Sequence, residues 1–137
     1  YYVQEAASMF VEQAFRVVLE RMADRSASMK LLDLCAAPGG KSTLLLSLLP
    51  EDGLLIANEV IRNRASILVE TIRKWGYPNA VVTHNEPSAV GKLDNFFDVM
   101  LVDKFTQGNV LIFRFEEFSN RGFKLQHTFN QAPSILL

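Results

Sequence analysis

Only one cysteine, Cys35, occurs among the 137 residues, so no disulfide can close within the chain and a reducing, cytoplasmic setting is expected. No apolar run approaches the roughly 20 residues that a membrane-spanning helix needs, which predicts a soluble protein with no membrane partner. A basic excess is lacking too. Lys and Arg number 14 against 15 Asp and Glu, for a net charge of -1. Any affinity for nucleic acid must then come from a local patch or from a segment outside this chain. The chain opens Tyr1-Tyr2-Val3-Gln4, with neither an initiator Met nor a basic start leading into an apolar stretch. It is therefore expected to be a piece of something longer, without a secretory signal. His84 and His127 have no companions at metal-ligand spacing, so no metal is expected.

What is present suits one globular domain: 49% hydrophobic and 21% charged residues, enough to bury a core. Phe10, Ala14, Val17, Val18 and Met22 recur at three- and four-residue steps, which predicts a helix over residues 5–24. Lys30-Leu31-Leu32-Asp33-Leu34 reads as a short buried strand. It is followed by a loop of small residues and by an apolar helix from Lys41. The unit then repeats in kind. A strand over residues 54–58 leads to a helix over 61–75 closed by Gly76, and further strands follow at 81–83 and 97–102. Strands alternating with helices predict a doubly wound α/β fold with a mostly parallel sheet. Beyond Asp103 the pattern changes. Residues 110–115 and the alternation Phe123, Leu125, His127, Phe129 read as a hairpin turning at Asn120-Arg121-Gly122, or as a poorly ordered tail.

In such a sheet a ligand sits beyond the carboxyl ends of the strands, where the strand order changes direction. The unusual residues lie there. Pro38, Gly39 and Gly40 follow the first strand, and their small size lets the backbone approach a ligand closely. A tight strand-to-helix turn without a ligand is the plainer alternative. Gly40-Lys41-Ser42 imitates a phosphate-binding P-loop, but the first glycine of that pattern falls at Cys35, and the dinucleotide pattern G-x-G-x-x-G is absent. Glu59 stands directly after the second strand, about twenty residues past Gly39, from where a carboxylate accepts hydrogen bonds from two ribose hydroxyls. Alone, it would equally serve as a negative charge at a helix N-terminus; its pairing with the glycine loop favours a ribose. Asn85 and Glu86 follow the third strand, where a polar side chain reaches an adenine amine or closes a turn before Pro87. Asp103 ends the fourth strand beside the switch point and should face the reacting end of a ligand rather than its ribose, unless it is only a solvated strand terminus. Arg62, Arg64, Arg73 and Lys74 gather on the second of these helices and could touch RNA or simply form its solvated face. Trp75 and Tyr77 are expected to pack the end of that helix.

Taken together these residues resemble the NOL1/NOP2/Sun-type RNA cytosine-C5 methyltransferases, in a bacterial ribosomal RNA form. The resemblance is carried by Tyr2-Val3-Gln4-Glu5-Ala6-Ala7-Ser8-Met9, by Leu32-Asp33-Leu34-Cys35-Ala36-Ala37-Pro38-Gly39-Gly40-Lys41-Ser42-Thr43, by Ala57-Asn58-Glu59 with Arg64, and by Phe97-Asp98-Val99-Met100-Leu101-Val102-Asp103. It covers residues 1–103. It implies a Rossmann-like S-adenosylmethionine-dependent methyltransferase core, incomplete at its C-terminal end. The cofactor would be held by Cys35, Ala36, Ala37, Pro38, Gly39, Gly40, Lys41, Glu59, Arg64, Glu86 and Asp103. Glu59 would take the ribose, and Glu86 would stand where the family usually has an Asp near the adenine. Ribosomal RNA would be the partner of the full-length protein.

The chemistry of that family exposes a gap in this chain. C5 of cytosine is a weak nucleophile, so a cysteine thiolate adds to C6 and raises electron density at C5 before methyl transfer. Asp103 matches the aspartate that assists the adduct, but the family continues Ala-Pro-Cys-Ser-Gly where this chain reads Lys104-Phe105-Thr106-Gln107-Gly108. Thr106 stands in place of the first cysteine, and the nucleophilic cysteine has no counterpart. A hydroxyl without a base cannot replace a thiolate. The chain is therefore expected to be a core over residues 1–103 that does not methylate cytosine, followed by a divergent tail over 104–137 from a truncated or altered reading of a longer gene. Two other readings stay open: a methyltransferase acting on another atom through Asp103 without a cysteine, and a non-catalytic RNA-binding or assembly module.

Overall fold

The structure, a computed structural model, describes residues 6–22, 28–90, 92–93, 95–104 and 109–114. Helix α1 (Ala6–Arg21) precedes strand β1 (Lys30–Asp33), helix α2 (Gly40–Leu48), strand β2 (Leu54–Asn58) and helix α3 (Arg62–Trp75). Strand β3 (Ala80–Thr83), the single turn α4 (Pro87–Val90), β4 (Val99–Lys104) and β5 (Asn109–Arg114) follow. The five strands form one sheet in the order β3-β2-β1-β4-β5. β1 pairs in parallel with β2 on one edge and with β4 on the other, and β2 with β3. The chain thus steps outward from β1 through β2 to β3, then returns across β1 to place β4 on its far side. That reversal makes the switch point of a doubly wound sheet.

Alternation along the strands sends successive side chains to opposite faces, and both faces are apolar. Leu31, Leu55, Val99 and Leu101 pack with Val11 and Phe15 of α1, Leu45 of α2, and Leu68 and Ile72 of α3. On the opposite face Leu32, Leu34, Met100 and Val102 cluster with Phe97, and Val90 of α4 joins them. Burial on both sides is why these strands read as nearly continuous apolar runs in the sequence.

Ala14 of α1 and Met22 just past its end are buried as the predicted stripe expects, but the most deeply buried of the described α1 side chains are Val11 and Phe15, one position off the expected face. The side chain of Phe10 lies outside the described residues. α3 ends as its sequence predicts. Gly76 adopts φ 72, and its N–H reaches the carbonyls of Ile72 and Arg73, as a left-handed C-cap does. Arg73 and Lys74 lie in the last turn, where cations complement the helix dipole. Of the two aromatics expected to pack this end, Tyr77 does so against the core. Trp75 instead stands 49% exposed, because the buried face of α3 runs through Ala65, Leu68 and Ile72.

β4 starts two residues later than the apolar run. Phe97 leaves the ladder to fill the second cluster, and Asp98 uses its side chain to accept the Lys30 N–H at 2.8 Å. β5 runs antiparallel to β4 from Asn109, opposite Lys104, to Arg114, opposite Val99. The strand expected near 110–115 therefore joins the main sheet, and its expected hairpin partner at 123–129 lies outside the described residues. Leu55 is fully buried at the centre of the sheet. Leu55→Ala should destabilise the fold by about 2–5 kcal/mol, read as a lower midpoint of urea unfolding at unchanged slope.

Candidate functional site

The four parallel strands β1 to β4 end side by side, and their exits are tied by hydrogen bonds. Leu34 N–H donates to the Leu101 carbonyl at 3.0 Å, Ala36 N–H to Asn58 at 2.8 Å, and Glu59 N–H to Thr83 at 3.1 Å. These bonds carry the parallel pairing past the strands and hold the loop after β1 between the ends of β2 and β4. The loop then enters α2 through Gly39, whose φ of 112 belongs to the left-handed region. A Cβ there would stand 2.8 Å from Thr71 Cγ2 and 3.2 Å from Leu68 Cδ1. The side of Gly39 that lacks a Cβ faces α3, so its smallness serves helix packing in addition to the close ligand approach read from the sequence.

Carboxylates surround this loop. Glu59 is 2% exposed. Its Oε1 accepts the Ile61 N–H at 2.9 Å just ahead of α3, so the helix-start reading of this residue accounts for half of the carboxylate. The other oxygen, Oε2, is buried with no hydrogen-bond partner among the described residues. Arg64 Nη1 lies 3.5 Å from it, close enough for ion pairing but too far and misaligned for a hydrogen bond. The hydrogen bond of Arg64 goes elsewhere: Nη2 donates to the Ala37 carbonyl at 2.7 Å. Arg64 thus fastens α3 to the loop, while Arg62, Arg73 and Lys74 remain on the exposed face.

On the opposite side of the loop, Lys41 Nζ in the first turn of α2 meets Asp103 Oδ2 at 2.7 Å. Beneath both, Asp33 is buried and accepts the Ser42 hydroxyl at 2.7 Å. Burial pushes its carboxyl from the ordinary 3.8 up to about 7; Ser42 and Lys41 pull it down, and the Asp103 charge raises it further. Cys35 is half-buried in the loop. Desolvation, then the charges of Asp33, Glu59 and Asp103, push its thiol from 9.0 up to about 11, against the single pull of Arg64.

The loop residues 35–41, Glu59, Arg64 and Asp103 therefore meet at one place. Within the loop, Ala36 and Ala37 are buried, Pro38 is exposed, and Gly40 opens α2. Glu86 lies apart. It is exposed beyond β3, and among the described residues only its backbone carbonyl is engaged, by Ala89 N–H at 2.9 Å. His84 is exposed, its Nε2 2.9 Å from the Val60 carbonyl. Among the described residues no group of three His, Cys, Asp or Glu side chains could hold a metal ion. Sequence reasoning quoted Asp33, Ser42 and Asn58 within its motifs but gave none of them a role. The signal available was a polar residue inside or ending an apolar strand, which needs a buried partner.

Residues 20–126 match the family model described as 16S rRNA methyltransferase RsmB/F, a span that runs past Asp103. The chain is 35% identical over 104 residues to ribosomal RNA small subunit methyltransferase F of Shewanella loihica, covering 75% of this chain and 21% of that protein. With the protein of the same name from Escherichia coli O157:H7 it shares 31% identity over 113 residues, 82% of this chain and 22% of that one. Among solved structures it is similar to NSun6 from Pyrococcus horikoshii, solved with SFG, at a TM-score of 0.59 and 27% identity, over 75% of this chain and 25% of that one. The chain thus spans about a fifth of the length of these curated relatives.

Asp33 keeps its proton up to about pH 7 when folded and releases it near 3.8 when unfolded, so the folded state binds more protons between those values. Stability is then greatest below about pH 4 as far as this group goes, and falls as pH rises towards 7. Asp33→Asn should flatten that part of a melting-temperature profile; a variant with the parent slope would assign the fall to other groups. Gly39→Ala, strained in φ and crowded by Thr71, should lower unfolding stability by about 1–3 kcal/mol in a denaturant titration.

Proposed function

The chain belongs to the RsmB/F family of 16S rRNA methyltransferases, and from that membership we propose that it is the S-adenosylmethionine-binding core of an RNA cytosine-C5 methyltransferase, lacking the thiolate that methyl transfer requires. One observation carries the cofactor reading: a buried carboxylate oxygen, Glu59 Oε2, that accepts no hydrogen bond among the described residues and has only the Arg64 guanidinium at 3.5 Å as an ionic neighbour. Leaving such a group unpaired costs about 1–3 kcal/mol or more. A ribose offers two adjacent hydroxyl donors to a carboxylate at the end of the second strand. The donor set therefore fits the cofactor.

Bound there, S-adenosylmethionine supplies an electrophilic methyl group on a sulfonium centre. The residues of the chain would divide the remaining work. Glu59 holds the ribose, and Arg64 keeps the loop carbonyl of Ala37 in place beside it. Burial is the first cause of the raised Cys35 thiol, and the neighbouring carboxylates Asp33, Glu59 and Asp103 add to it against Arg64; carboxylates gathered at the loop favour a cationic sulfonium and ammonium. Lys41 holds Asp103 at the end of β4, where its carboxylate can address a base presented at the switch point. Cys35 cannot add to C6 of cytosine, since a thiol with a pKa near 11 is almost wholly protonated at neutral pH, and it is the only cysteine of the chain.

The same reading makes ribosomal RNA the partner of the complete protein and the cytoplasm its location. Among the described residues no helix is long and apolar enough to cross a membrane. We divide the chain into a cofactor core over residues 1–103, which holds every motif of the site, and a divergent tail over 104–137, whose β5 closes one edge of the sheet.

Calorimetric titration of the whole chain with S-adenosylmethionine should show saturable binding, weakened by roughly 1–3 kcal/mol in Glu59→Ala. A folded chain that binds no cofactor would overturn the reading. With ribosomal RNA and labelled cofactor, no 5-methylcytosine should form; its appearance would refute the thiolate argument, and label on another atom would favour a cysteine-independent transfer.

A further inference from the structure

Asp33 closes β1 beneath the loop, 1% exposed, between the apolar Ala57 of β2 and Leu101 of β4. Its Oδ2 accepts the Ser42 hydroxyl at 2.7 Å, and among the described residues no cation lies within ion-pairing distance of it. Lys41, the lysine that bears on it, is held by Asp103 at 2.7 Å. The groups acting on the carboxyl are thus Ser42 and Lys41 of α2, Asp103 of β4 and the Cys35 N–H of its own loop. Glu59 and Arg64, beyond the end of β2 and on α3, bear on Cys35 instead.

A carboxyl so placed is costly to ionise, because no partner replaces the water it has lost. Burial therefore lifts it to about 7, where a change in the charge around it moves its proton. That charge reaches the loop. Of the three carboxylates that push up the Cys35 thiol, Asp33 acts most strongly, ahead of Glu59 and Asp103.

We propose that Asp33 makes the cofactor site select by ligand charge: ionised, it favours the sulfonium of S-adenosylmethionine over the neutral sulfur of S-adenosylhomocysteine, and a proton on it removes that preference. The proposal rests on the cofactor reading above. When a sulfonium enters with Asp33 protonated, the carboxyl releases its proton to the buffer and the incoming positive charge takes over its role. Below the range in which Asp33 titrates this exchange opposes binding; above it there is no proton to displace. The neutral sulfur of the demethylated product drives no such release. Rising pH should then help fresh cofactor to replace spent product.

Calorimetric titration of the whole chain with both ligands, from about pH 5 to about pH 8, tests this. The affinity ratio of S-adenosylmethionine to S-adenosylhomocysteine should climb with pH by roughly tenfold, as for one charge acting through a protein interior. Repeated near pH 6.5 in buffers of different ionisation enthalpy, the sulfonium ligand should release more protons than the product does. Asp33→Asn should hold the ratio at its low-pH value and abolish the excess release. Ser42→Ala keeps the carboxyl but removes the hydroxyl that favours its ionised form, so the climb should move to higher pH. A parent ratio independent of pH would overturn the proposal, as would a climb that Asp33→Asn retains or one that Ser42→Ala leaves in place. Failure of the parent to bind either ligand at any pH would overturn the cofactor reading itself.

Discussion

Strand β1 is hydrogen-bonded along both edges and covered on both faces, and the site follows from that position. Because β2 and β4 run parallel to it, all three strands finish at the same edge of the sheet. The reversal of strand order leaves the loop after β1 between Glu59 on one side and Asp103 on the other. Leu31 and Leu32, each 1% exposed and facing opposite clusters, hold the strand in register. A one-residue slip would exchange the two clusters and carry Asp33 away from Ser42.

The electrostatics of the site grow from the same crowding. Three carboxylates come near one loop, and each is handled differently. Asp103 pairs with Lys41, Glu59 shares its charge with the loop-fastening Arg64, and Asp33, too deep for a cation of its own, leans towards its neutral form while Ser42 donates to it. Such a field suits a positively charged ligand. Burial first, and these carboxylates after it, raise the pKa of the one thiol present to about 11, which keeps Cys35 protonated at neutral pH.

Much of the fold was legible because burial on two faces leaves a simple trace. Apolar runs at residues 30–34, 54–58 and 97–102 announced β1, β2 and β4, and the period of α3 with Gly76 behind it announced a helix and its end. The shifts were local and had local causes. β4 began late because Asp98 caps β1 with its side chain, and the buried stripe of α1 runs through Val11 and Phe15 because neighbouring elements, absent from any window of sequence, select which face is covered. Of the site, Glu59, the glycine loop and Asp103 could be read from spacing. Arg64 read from its own segment only as a charge on a helix, and the resemblance alone placed it at the cofactor; its contact with Ala37, which spans 27 residues of chain, could not be read from either.

By itself the sequence determined the alternation of strand and helix, the glycine-bearing loop, the carboxylates at the strand ends, and the absence of a second cysteine. These depend on periodicity, residue type and count, all of which are properties of short segments. Tertiary structure alone decided that one oxygen of Glu59 is left without a donor among the described residues, that Asp33 is driven towards neutrality, and that Asn58 ties three strand exits together. Each of those outcomes depends on desolvation and on partners from distant parts of the chain. Neither exists until the sheet has closed around β1.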